Sequence, residues 1–138
     1  VNKVYGLQRV KEEGQQAMIP ITIPMRLPGL NEYVNACRGN KYEAANFKQQ
    51  VENDCLIFIR AALRGRKLNS IGIVFKWIEK NRQRDKDNIC FAKKFILDAM
   101  QKGQVLKNDG WSQIHYFRDE FAVDKDRPRV ELSIEEVG

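Results

Sequence analysis

Histidine is all but missing from this chain. His115 is the only one, and the three cysteines, Cys37, Cys55 and Cys90, show no close ligand-type spacing. A structural zinc site draws four ligands largely from these two residue types, so the sequence does not support one. One histidine makes neither a His-bound metal centre nor a convincing general base, and no cysteine has a histidine and an orienting acid near it for thiol catalysis. A sparse, odd set of cysteines points to a reducing cytoplasm rather than a disulfide framework. Long hydrophobic runs are absent too: nothing approaches the roughly 20 apolar residues of a membrane span. Val1 to Ala17 is polar and lacks the apolar centre of a signal peptide. There are no internal repeats and no low-complexity tracts. With 43% hydrophobic and 30% charged residues in 138, what remains is one soluble domain, 18–138, with bulk for a single core. An irregular arm, 1–17, precedes it.

Charge is abundant and unevenly placed. A formal net charge of +6 favours anionic partners. Between Ile57 and Lys107 stand thirteen cations and only four acids, Glu79, Asp85, Asp87 and Asp98. That excess of nine is larger than the net charge of the whole chain, so the flanking segments are net acidic. A solvated helix and loop surface accounts for the charge by itself; a footprint for phosphates accounts for its concentration.

The hydrophobic periods give a coarse architecture. Ile19 to Arg26 alternates, but Pro20 and Pro24 confine it to an edge strand. Leu27-Pro28-Gly29-Leu30-Asn31 is a turn, with Asn31 placed to cap a short helix through Cys37. Lys41 to Leu63 has a helical period, its apolar stripe running through Tyr42, Ala45, Val51, Cys55, Phe58 and Ala62. Arg64-Gly65-Arg66-Lys67 ends it. Leu68 to Lys80 is the main strand, with Ile71, Ile73, Phe75 and Trp77 on one face. A second helix is expected from about Ile89 to Lys102, burying Ile89, Ala92, Ile96, Ala99 and Met100, with Gly103 as its stop. Trp111 to Val123 and Pro128 to Glu135 alternate again and read as an antiparallel pair joined through residues 124–128. The class is α+β: a small mixed or antiparallel sheet with helices packed on it.

The chemistry concentrates in Arg82-Gln83-Arg84-Asp85-Lys86-Asp87-Asn88. Two carboxylates two residues apart sit in one of the most basic stretches of a basic chain. If 84–87 is extended, Asp85 and Asp87 share a face, roughly 6–7 Å apart. Such a pair suits a hard divalent cation, Mg2+ above all, and the surrounding lysines and arginines suit a polyanion. The combination points to a metal-dependent enzyme acting on nucleic acid. Two carboxylates are a thin cage, and Asp109 is the best third. The helix after Asp87 is about 20 Å long, and an extended 103–109 segment spans about as much, so the chain can return Asp109 to the pair. Lys94 falls on the helical stripe of Asp87, about 10 Å along the axis. Each residue also has a plainer role: an N-cap for Asp87 or Asn88, a turn for Asp109-Gly110, a solvated surface for Lys94, a structural ion pair for Asp98.

The same residues carry a family likeness. Arg84-Asp85-Lys86-Asp87-Asn88, then Lys94-Phe95-Ile96-Leu97-Asp98-Ala99, then Val105-Leu106-Lys107-Asn108-Asp109-Gly110-Trp111 resemble the RusA family of Holliday junction resolvases, especially its phage and prophage branch. Leu27-Pro28-Gly29-Leu30-Asn31-Glu32-Tyr33 upstream and Pro128-Arg129-Val130-Glu131 downstream extend the likeness from about Ile19 to Glu136. The resemblance implies a RusA-like fold and a homodimeric, Mg2+-dependent endodeoxyribonuclease of a bacterial host, with Mn2+ as a substitute metal. Its substrate would be branched DNA, a four-way junction resolved by paired nicks. By motif, Asp85, Asp87 and Asp109 take the positions of the catalytic, metal-binding aspartates. Lys94 takes that of the essential lysine, and Arg84 that of a basic residue beside the first aspartate. The helix is longer between the aspartates and the lysine than in the best-known member, which leaves Lys93 open as the alternative. Arg84, Lys86, Lys93 and Lys94 would then hold the DNA backbone. Two other readings stand beside this one. One is a catalytically silent phage DNA-binding module, and the other a metal-dependent nuclease acting on flaps or other branched nucleic acid.

Overall fold

The computed structural model describes residues 18–137; the arm expected over 1–17 lies outside them. Along the chain run β1 (Ile19–Ile23), α1 (Leu30–Arg38), α2 (Lys41–Leu63), β2 (Ile71–Glu79), α3 (Lys86–Cys90), α4 (Lys93–Lys102), β3 (Ile114–Val123) and β4 (Arg129–Glu136). The strands form one mixed sheet in the order β1-β4-β2-β3. β4 is antiparallel to both β1 and β2, while β3 is parallel to β2. Parallel neighbours need a crossover, and α3 with α4 supplies it. The class is α+β, as the periodicities indicate.

The helices cover one face of the sheet. Ile71, Ile73, Phe75 and Trp77 of β2 are at most 1% exposed and meet Val51, Cys55, Leu56, Ile59 and Leu63 of α2 and Phe95, Ile96, Ala99 and Met100 of α4 in one core. Trp77 is a core residue, its indole N–H donating to Asp119 Oδ1 at 2.9 Å. The stripe of α2 is narrower than its sequence suggests, because Tyr42 is 72% exposed and Ala62 also faces solvent. At its start Asn40 accepts the Glu43 N–H, and Glu43 reaches back to the Asn40 N–H, which satisfies two otherwise unpaired donors.

Two expectations differ in their connections. The helix expected from Ile89 to Lys102 begins earlier, at Lys86, and breaks at Phe91–Ala92, where Ala92 N–H donates to the Ile89 carbonyl and Lys94 N–H to the Phe91 carbonyl. These three-residue closures tighten the turn. They place Phe91 against Tyr33 and Phe95, at centroid distances of 5.6 and 5.8 Å. The stripe Ile89, Ala92, Ile96, Ala99 and Met100 is nonetheless buried throughout. The second difference concerns β3 and β4, which run antiparallel but are not neighbours: β2 lies between them. The 124–128 segment crosses the end of β2 instead of closing a hairpin. Asp124 N–H donates to the Glu79 carbonyl, and its carboxylate accepts from Asp126 N–H, Arg127 N–H and Arg129. An alternating pattern states which face a strand buries, not which strand lies beside it.

Candidate active site

β2 ends at Glu79, and the chain turns through 80–84 before α3 starts. Arg84 folds back onto the strand it has just left. Its Nε and Nη2 donate to Glu79 Oε1 and Oε2 at 2.9 and 2.8 Å, and its Nη1 reaches Glu32 Oε1 at 3.1 Å. The Arg84 side chain is 13% exposed and that of Glu79 10%. A forked guanidinium matches a carboxylate in just this two-bond geometry, and a pair this buried holds its shape better than a surface ion pair. Glu32 Oε1 also accepts the Gly29 N–H at 2.8 Å, and Asn88 Oδ1 accepts the Asn31 N–H at 2.9 Å. The start of α1 is thereby docked on the start of α3. Only glycine fits at the contact: a Cβ on Gly29 would sit 2.6 Å from the Asn88 carbonyl oxygen.

This clamp fixes the backbone that carries the two aspartates. Asp85 is the N-cap residue of α3 in an extended conformation, yet its carboxylate makes no capping hydrogen bond. Asp87 lies in the first turn, with Oδ1 accepting the Asn88 N–H at 2.9 Å. Capping therefore does not explain Asp85. Both aspartates line a cleft of about 860 Å³ with Asn81, Arg82 and Lys86, closed on the sheet side by Phe121, Ala122 and Val123. Lys86 Nζ lies 5.4 Å from the centre of the Phe121 ring, a cation–π approach that holds the ammonium beside the cleft. The donor set suits a hard cation in part. Two carboxylates are oxygen ligands of the right kind, and Mg2+ commonly keeps waters in its remaining positions. Among the described residues no group of three or more His, Cys, Asp and Glu side chains is gathered to hold a metal.

The other residues picked out in the sequence lie elsewhere. Asp109 does not return to the aspartate pair within the chain. Leu106 bridges Leu68, and Ile114 N–H donates to the Gly110 carbonyl, so Asp109 stays where β2 begins. The cleft is where β2 ends, about 26 Å away by strand rise. Less of the chain is free than a fully extended 103–109 segment would offer, because 103–106 is taken up in closing α4 and pairing with Leu68. Lys93 is 14% exposed, paired with Asp119 at 2.7 Å and seated 3.9 Å from the Phe117 ring centre. Lys94 is 57% exposed and pairs with Asp98 at 3.1 Å, one turn on. Asp98 also meets Lys48 at 2.9 Å, the structural partnership expected of it. Neither Lys93 nor Lys94 lines the cleft. Arg84 does, but its donors are committed to Glu79 and Glu32.

Sequence reasoning missed Glu32, Glu79 and Gly29. The signal for the first and last was the Leu27–Tyr33 stretch, whose likeness to the family had no assigned role. Glu79 gave none, since an acid ending a strand is ordinarily solvated.

Comparison with known proteins adds one match. No individual curated protein matches the chain, but the family model described as Endodeoxyribonuclease RusA matches residues 8–135. That span takes in every strand and helix described above save the last residue of β4, along with the α1–α3 clamp and the aspartate cleft. The chain belongs to the RusA family of endodeoxyribonucleases, the nucleases that resolve Holliday junctions.

Proposed function

We propose that this chain resolves four-way junctions as a Mg2+-dependent homodimer in which each cutting centre is built by two protomers: Asp85 and Asp87 from one, Asp109 from the other. The observation that carries the reading is the free edge of β3. Among the described residues β3 pairs only with β2, which leaves one side of its ten-residue backbone unpaired by them. The strand carries Phe117 and Val123, 51% and 49% exposed, and Trp111 before it is 97% exposed. A long edge with exposed apolar side chains is a template for pairing with another chain. An isologous contact pairs the same patch on both copies. Two antiparallel β3 edges would then lay the Ile114 end of one strand beside the Val123 end of its partner. Asp109 lies just before the first end, and Val123 lines the Asp85/Asp87 cleft at the other. One two-fold operation therefore closes both centres, matching two sites to two strands of a junction.

A bound Mg2+ or Mn2+ would supply Lewis acidity and a water acidified for attack. The chain's own residues do the rest. Asp85, Asp87 and Asp109 hold the metal in place, while Arg82 and Lys86 at the cleft bind the phosphate and offset developing charge. Lys94, 57% exposed and paired with Asp98 on its own helix, takes the role of the essential lysine in preference to Lys93, which is 14% exposed and held between Asp119 and Phe117. Arg84 is assigned to positioning rather than to DNA. No helix among the described residues is long and apolar enough to cross a membrane, and Cys37, Cys55 and Cys90 are free thiols. Both fit a cytoplasmic enzyme.

Mixed dimers test the proposal. Asp85→Asn and Asp109→Asn homodimers should each fail to cut a four-way junction in Mg2+. Their mixture has one centre with all three aspartates and should recover nicking. A mixture as inert as its parents would refute assembly across two chains, and cutting by the Asp85→Asn homodimer would refute the site.

A further inference from the structure

A second groove lies at the opposite pole, where β2 and β3 begin. It encloses about 480 Å³, and its polar lining comes from Lys67, Asn69, Gln101, Gln104 and Lys107, with no carboxylate among its residues. Several cations around β2 and α4 are paired with acids of the same chain: Arg66 with Glu136, Arg84 with Glu79, Lys93 with Asp119, Lys94 with Asp98. Lys67 and Lys107 are exposed and, among the described residues, have no acid within ion-pair distance. Lysine and amide donors without acceptors of their own charge are complementary to phosphate oxygens.

The backbone beneath the groove is unusual as well. α4 closes with Gln104 N–H donating to the Gln101 carbonyl and Val105 N–H to the Met100 carbonyl. This closure places Gln104 in the left-handed region, at φ 61, where glycine is the usual residue. Glutamine there carries a strained backbone and adds an amide to the groove.

We infer that this groove is a second binding site for the DNA phosphodiester backbone, lent to each cutting centre by the protomer that lends Asp109. The inference rests on the two-protomer reading above. Lys107 is two residues before Asp109, about 7 Å of extended chain. A strand held for cutting at the partner's Asp85 and Asp87 thus leaves the cleft over this groove within two or three nucleotides, at about 3.4 Å per nucleotide. Scissile phosphate and flanking phosphates are then gripped by different protomers, so that only the dimer holds a strand on both sides of the cut.

The test is the double variant Lys67→Gln/Lys107→Gln. Both side chains are exposed, so melting should not move, while affinity for a four-way junction should weaken. The slope of log affinity against log salt should become shallower by about 1.8 for each groove engaged. An unchanged slope and affinity overturn the inference. A mixed dimer of this variant with Asp85→Asn decides the sharing. If the groove works across protomers, the surviving centre has both halves intact and nicks as fast as one wild-type centre. Nicking slowed to the rate of the lysine variant places the groove beside its own aspartates and overturns the assignment. Should Asp85→Asn with Asp109→Asn fail to nick, the underlying dimer reading has failed. If that pair nicks and the salt slope stays, only the groove has.

Discussion

Removing Arg84 separates its two roles, holding the fold and aiming the aspartates. In Arg84→Met, Glu79 stays 8% exposed and loses both donors of the fork; Arg26 Nε, 4.0 Å away, is the remaining cation near it. Stranding one member of a buried pair costs roughly 3–5 kcal/mol, and the partial access here together with Arg26 argues for about 3 kcal/mol. For a domain of this length that is a fall of roughly 10 °C in melting temperature, read by circular dichroism. The double variant Arg84→Met/Glu79→Leu removes the stranded charge along with its partner and should recover stability to within about 1 kcal/mol of wild type. It should not recover cutting. Without the fork, the 84–88 backbone has lost its tie to β2 and Glu32, and misplacement on the scale of an ångström costs on the order of 100-fold in rate. The Mg2+ concentration for half-maximal junction cleavage should rise with it. A double variant that is stable and cuts normally would refute the positioning role, and a single variant that melts like wild type would refute the energetics.

Gly29→Ala drives a methyl group to 2.6 Å from the Asn88 carbonyl oxygen. Overpacking of this kind costs about 1–3 kcal/mol, and cleavage should fall with stability as α1 is pushed off α3; an unchanged melting curve would count against the tight docking. Burial, with Asp54 and Glu52 adding, pushes the Cys55 thiol up to about 12 from an ordinary 9.0. Between those values the folded chain keeps a proton that the unfolded chain has lost. Stability is therefore whole below pH 9 and falls by about 1.4 kcal/mol per pH unit above it. In urea denaturation at pH 9 and above, the stability advantage of wild type over Cys55→Ala should shrink at that rate. A constant difference would contradict the burial argument.

Much of the layout follows from sequence periods that need no tertiary partner. Ile71, Ile73, Phe75 and Trp77 can bury one face only as a strand, and the caps at Asn40 and the stop at Gly103 bound their helices by local hydrogen bonding. The acid pair in a basic stretch was legible for a related reason: local composition does not otherwise account for Asp85. What neighbours what was not legible. The insertion of β2 between β3 and β4 depends on competition among strands for partners, which a period of two does not encode. The commitment of Arg84 to Glu79 and Glu32, and of Lys93 to Asp119, likewise arises only when segments far apart in the chain meet. A cation free for DNA and one neutralised inside the fold look alike in sequence. Asp109 marks the boundary most sharply: its residue type and spacing make it a candidate third carboxylate, but the direction of β2 carries it to the far pole of its own chain.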